Sequence, residues 1–135
     1  MEDSVRVFIE STGNDGSVEY VEEADFSLQY EILAATIGIT TKTFGPTIWQ
    51  EVRNPKGLPK NLSDEVKRIR AIWGSDGYSS SWLSLEEVVT LQRRVKEVTG
   101  EESQELGNAL AIMRYIEELN PLRTSRLVYW FETED

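Results

Sequence analysis

Arg126-Leu127-Val128-Tyr129-Trp130-Phe131, near the C-terminus, is the stretch on which the fold turns. A run this rich in aromatic and β-branched residues fits a pleated strand. The two-residue period of a strand places Tyr129 and Phe131 on one face, with Val128 and Trp130 on the other. A sheet that is apolar on both faces is either covered twice or presents an interface. On the second alternative, Trp130 forms an exposed aromatic patch with Phe8 and Tyr20, of the kind found at partner surfaces.

A partner for this strand lies at the other end of the chain. Val5, Val7 and Ile9 alternate with Arg6, Phe8 and Glu10. Thr12-Gly13-Asn14-Asp15-Gly16 tolerates positive φ, and the alternation resumes from Ser17 to Glu22. This is the pattern of a β-hairpin. A lone hairpin is marginal, so the terminal strand is expected to join it in a three-stranded antiparallel sheet.

Helices fill the middle. Asp25 is expected to cap a helix from near Phe26 through Tyr30, Leu33 and Ile37, stopped by Gly38. Ser63 caps a second, Asp64 to about Trp73, with Val66, Ile69 and Trp73 on one face. Ser84 and Glu87 have the spacing of a capping box, and Leu83 with Val88 that of a hydrophobic staple. The third helix then runs to about Val98 before Gly100. A fourth starts near Ser103, carries Leu106, Leu110, Met113 and Leu119, and ends before Pro121. Glycine, proline and threonine crowd residues 39–62, which read as a long irregular loop with a short strand at 47–52; loops of that length are often functional. The expected fold class is α+β: one domain over residues 1–135, with a small antiparallel sheet (N-terminal hairpin plus C-terminal strand) packed against about four helices on one face.

Composition narrows the chemistry. The 135 residues contain no histidine and no cysteine. A Ser-His-Asp triad, a thiolate or histidine metal site and a disulfide framework are therefore excluded. No cofactor or metal is expected, and no enzyme; an Asp76 and Arg53 pair acting with a metal is the weakest of the readings. The net charge of −10 disfavours direct nucleic-acid binding and anionic membranes. Residues 1–25 carry eight acids against Arg6 alone, and residues 101–135 eight acids against three arginines, so the ends are acidic and the middle is not. No signal peptide or bilayer-spanning stretch is read, which points to a cytoplasmic protein.

Three groups of residues invite a functional reading, each beside a plainer one. Arg53, Lys56, Lys60, Lys67, Arg68 and Arg70 flank the helix start at Ser63, where free amides favour an anion; the plainer reading is a solvated face. Residues 74–82, with Tyr78, Ser79, Ser81 and Trp82, could cradle a phosphate or stack a base beside Arg53, Lys56 and Trp73, or simply connect two helices. Glu19, Glu22, Glu23 and Asp25 suit a protein-facing acidic surface better than a catalytic carboxylate pair.

Several segments resemble a group of small bacteriophage and prophage proteins. Residues 73–87, Trp-Gly-Ser-Asp-Gly-Tyr-Ser-Ser-Ser-Trp-Leu-Ser-Leu-Glu-Glu, are similar to that group's "WGxDGHSxSWLTLxEL" stretch. Residues 54–63 resemble its "PRGLPxDxS" segment, residues 30–35 its "YxxFAxLAxVRN" helix, and residues 126–132 its closing "VRxVFWFDN" strand. The chain departs from the pattern where Tyr78 replaces a histidine and Ile37-Gly38-Ile39 replaces Val-Arg-Asn. What the resemblance implies is a phage accessory protein, made in the bacterial host cytoplasm, that acts by binding a host factor or sequestering a host signal. The expected function is thus to bind and inhibit a host protein, such as a defence component, through the acidic surface. A module that sequesters a nucleotide-like ligand is the alternative, and a second copy of the chain is a further candidate partner.

Overall fold

The strand patterns at the two chain ends are realised side by side. In the computed structural model, which describes residues 3–28, 30–36, 55–73 and 77–133, the order is β1 (Asp3–Gly13), β2 (Val18–Ala24), α1 (Tyr30–Thr36), α2 (Asp64–Trp73), β3 (Tyr78–Ser84), α3 (Leu85–Thr99), α4 (Gln104–Leu119) and β4 (Arg123–Thr133). The antiparallel sheet has the order β2-β1-β4-β3, so the first and last strands form its centre. Their register pairs Val7 with Tyr129 and Glu10 with Arg126. The chain is an α+β domain, as its pattern predicts.

The sheet has four strands where three were expected. Residues 78–82, part of the stretch 74–82 whose plainer reading was a helix-to-helix connection, form β3 together with Leu83 and Ser84, pairing with β4 from Tyr78 opposite Phe131 to Ser84 opposite Arg126. Three successive serines hide the alternation, and a bulge between Tyr78 and Ser81 shifts its phase. Ser79 sits in that bulge at φ 53, an unusual conformation for a residue with a side chain.

Helices also cover both faces, where the sequence suggested one. Val7, Ile9, Leu127, Tyr129, Phe131 and Leu83 point to one side and pack against α1, α3 and α4 through Ile32, Leu33, Val88, Leu91, Leu106 and Met113. On the other side Phe8 and Trp130 meet Val66 of α2, with Leu58, Leu62 and Ile69 around them. The expected aromatic patch is therefore mostly interior. Trp130 is 0% exposed because α2 lies on it and the Phe8 ring centre is 5.1 Å away. Its indole N–H donates to Glu132 at 2.9 Å. Only Tyr20, 36% exposed, stays at the rim.

The local signals read most directly are borne out. Ser84 and Glu87 make both bonds of the capping box, and Gly100 ends α3 in the left-handed region at φ 85. Ser103 caps α4 by accepting the Leu106 amide. Asp25 departs from expectation: its carboxylate accepts the Ser27 amide in a tight turn, and α1 begins only at Tyr30. The helix stop at Gly38, the short strand at 47–52, Arg53 and Asp76 lie outside the described residues. Within the irregular loop, residues 55–62 are described, and they run along the sheet. The Gly57 amide donates to the Ser80 carbonyl at 2.9 Å, and the Lys56 amide to Ser81 Oγ at 3.1 Å, so this segment occupies the outer edge of β3. Among the described residues no helix is long and apolar enough to cross a membrane.

Candidate functional site

The acidic residues of the hairpin gather on β2, the other outer strand. A bulge in the β1–β2 ladder pairs Ile9 with Glu22 but Glu10 with Tyr20, which leaves Val21 as an extra residue. Val18, Val21 and Ala24 turn inward, while Glu19, Tyr20, Glu22 and Glu23 are exposed in two adjacent pairs. The first turn of α2 adds acid to this surface. Partial burial first, and then the negative charges of Glu23, Glu65 and Glu22, push the Tyr20 phenol above its ordinary pKa.

The cations that temper this surface come mainly from the sheet itself. Arg6 holds Glu23 at 3.1 Å, and Arg123 approaches Glu19 at 3.9 Å. Two cations of the basic middle are spent elsewhere. Lys56 pairs with Glu87 on α3, and Arg70 donates to the Gly77 carbonyl while its guanidinium lies 4.9 Å from the centre of the Trp130 ring. Arg68 pairs with Glu65 within α2. Lys56, Arg68 and Arg70 thus have partners other than the β2 acids.

The helix start at Ser63, read from sequence as an anion site, already holds an internal carboxylate. Glu10, 0% exposed, accepts the Ser63 amide at 2.8 Å through one oxygen and Arg126 through the other at 2.7 and 2.9 Å. Arg126 gives two further donors to the side chain and carbonyl of Asn61. Neither Glu10 nor Arg126 was singled out as a site residue from the sequence. The signal was present once the two end strands are laid antiparallel, because the one residue then falls opposite the other.

The residues expected to form a ligand pocket are divided by the sheet. Tyr78 packs its ring 6.1 Å from Phe131 on the α3 side. Ser81 is buried there and lies within a chain of hydrogen bonds. The Lys56 amide donates to Ser81 Oγ, Ser81 bonds the Tyr129 hydroxyl, and Tyr129 lies 2.7 Å from Thr36 Oγ1, which donates to the Leu33 carbonyl at 2.6 Å. Because the Thr36 proton goes to Leu33, Tyr129 donates to Thr36 and Ser81 donates to Tyr129. Burial pushes the Tyr129 phenol up to about 12. Trp82 instead faces the α2 side, half-buried, with the Lys56 ammonium 4.0 Å from its ring centre. Trp73 ends α2; its side chain, like Arg53, lies outside the described residues.

Beside Trp82 a cleft of about 360 Å³ is lined by Thr12, Ser84, Glu86, Glu117, Thr124 and Arg126 among others. Glu117 is engaged there, accepting both the amide and the hydroxyl of Ser125 at 2.8 Å. Among the described residues no group of three or more carboxylates could hold a metal ion. Compared with family models, curated proteins and solved structures, the chain matches none.

Proposed function

We propose that this chain is a phage accessory protein that binds a basic surface of a bacterial host protein and blocks it. The observation that carries the reading is the acidic surface of β2, where Glu19, Glu22 and Glu23 stand exposed beside Tyr20. Lys56, Arg68 and Arg70 find their partners on α3, within α2 and on Gly77, and the cations paired with β2 acids are Arg6, with Glu23, and Arg123, with Glu19. A surface of this sign steers a cationic partner into contact and loses strength as salt rises. The resemblance of residues 73–87 and 126–132 to phage proteins supports the biological setting and a cytoplasmic site of action.

The nucleotide-sequestering alternative draws less support. Ser81 is buried and bonded within the core, and Trp82 faces the opposite side of the sheet from Tyr78 and Ser81.

The test is capture of a defined host protein at low salt, repeated with Glu19→Lys, Glu22→Lys and Glu23→Lys combined. The expected result is loss of capture by the folded triple variant, and weakening of the wild type as salt is raised. Undiminished capture by that variant would remove the acidic-surface reading.

A further inference from the structure

We infer that β2 is a strand-addition site, which takes an extended basic segment of the partner onto the open edge of the sheet. The inference rests on the acidic-surface reading and adds the way in which the partner is held.

The two edges of the sheet differ. The outer side of β3 is occupied by residues 56–57, through the Gly57–Ser80 and Lys56–Ser81 bonds. Among the described residues no strand pairs with the outer side of β2. The Gly13 amide bonds the Ser17 carbonyl at 2.8 Å, which marks a hydrogen-bonded pair at the hairpin end. Pairs alternate along an antiparallel ladder, so the N–H and C=O groups of Val18, opposite Thr12, and of Tyr20, opposite Glu10, point away from β1. They are the groups that an added strand would pair with.

Charge selects the occupant. A second copy of the chain pairing through β2 would bring Glu19, Glu22 and Glu23 against the same residues, and like charges facing across strands repel. A segment that alternates lysine or arginine with apolar residues would meet carboxylates on its cationic positions and the half-exposed Tyr20 ring between them. Acids and a bulge on an edge strand also discourage indiscriminate pairing, so the same features that exclude neutral strands admit a basic one.

The experiment uses the full chain and a short peptide alternating lysine and valine, with a counterpart in which every second backbone amide is N-methylated. Amide exchange and binding are followed at low salt. The expected result is slowing of exchange at the Val18 and Tyr20 amides by about tenfold or more, the scale set by one net backbone hydrogen bond, with binding lost on N-methylation. Equal binding of both peptides without amide protection would overturn strand addition and leave the acidic-surface reading standing. Failure of both peptides to bind would overturn both readings. Protection of the same amides that grows with protein concentration alone would show a second copy on the edge, and would overturn the choice of a basic partner.

Discussion

On its α3 side the sheet meets a broad apolar layer drawn from three helices, while on its α2 side it meets one helix and a short run of loop. The polar groups buried on the two sides differ accordingly. The α3 side holds neutral hydroxyls in a chain through Ser81, Tyr129 and Thr36. The α2 side holds a full ion pair, Glu10 with Arg126, tied to Asn61 and Ser63. Where apolar area is plentiful, position is fixed by packing. Where it is scarce, a directional charge network fixes where the helix starts. A buried pair of this sort is weak evidence for stability, but breaking it is costly, because the orphaned charge stays buried.

The largest expected effect follows from that asymmetry. Glu10→Ala strips Arg126, itself only 8% exposed, of its carboxylate and the Ser63 amide of its acceptor. A loss of about 3–5 kcal/mol in urea unfolding is expected. The double variant Glu10→Met with Arg126→Met should recover much of this, since neither charge is then buried alone. A double variant no better than Glu10→Ala would mean that the pair contributes stability outright and does not merely set the position of α2.

The hydroxyl chain on the α3 side should yield less. Tyr129→Phe leaves Ser81 without an acceptor and Thr36 without a donor, for an expected cost of about 1–3 kcal/mol. It also predicts a pH effect. The folded phenol is pushed up from 10.0 to about 12, so between those values the native state keeps a proton that the unfolded chain releases. Stability contributed by this group is complete below about pH 10 and is lost as pH rises toward 12. Tyr20, also raised, adds a slope of the same sign. Denaturant midpoints measured across alkaline pH should fall more steeply for the wild type than for Tyr129→Phe. Parallel curves would place the Tyr129 phenol in contact with solvent.

Much of this architecture is legible in the sequence because its signals are local. A capping box needs only Ser84 and Glu87 at the right spacing, and alternation alone placed Tyr129 opposite in facing to Trp130. What sequence reading missed depends on distant partners. That β3 is a strand is decided by β4 and by residues 56–57 on its edge, since its serines carry little preference of their own. The burial of Trp130 depends on α2 crossing the sheet, which no spacing within residues 126–131 reveals. The candidate site was half legible. Glu19, Glu22 and Glu23 do share one exposed strand, but the bulge that turns them outward in pairs comes from the β1–β2 register. The expected ligand residues were grouped by closeness in sequence, and a strand sends such neighbours to opposite faces.

The smallest effect lies where the two sides of the sheet meet. Ser84 ends β3 opposite Arg126, on the α2 side, and at once begins α3 on the other. Its hydroxyl accepts the Glu87 amide at 3.2 Å, while the Glu87 carboxylate accepts the Ser84 amide at 3.0 Å and also pairs with Lys56. Ser84→Ala removes only the first of these bonds, so a loss of about 1 kcal/mol is expected in urea unfolding. Glu87→Ala removes the second bond and the partner of Lys56 together, and should cost more than Ser84→Ala. It should also loosen residues 55–57 from the β3 edge, seen as faster exchange of the Gly57 amide, which Ser84→Ala should leave unchanged. Equal exchange in both variants would mean that the backbone bonds to Ser80 and Ser81 hold that edge without help from the ion pair.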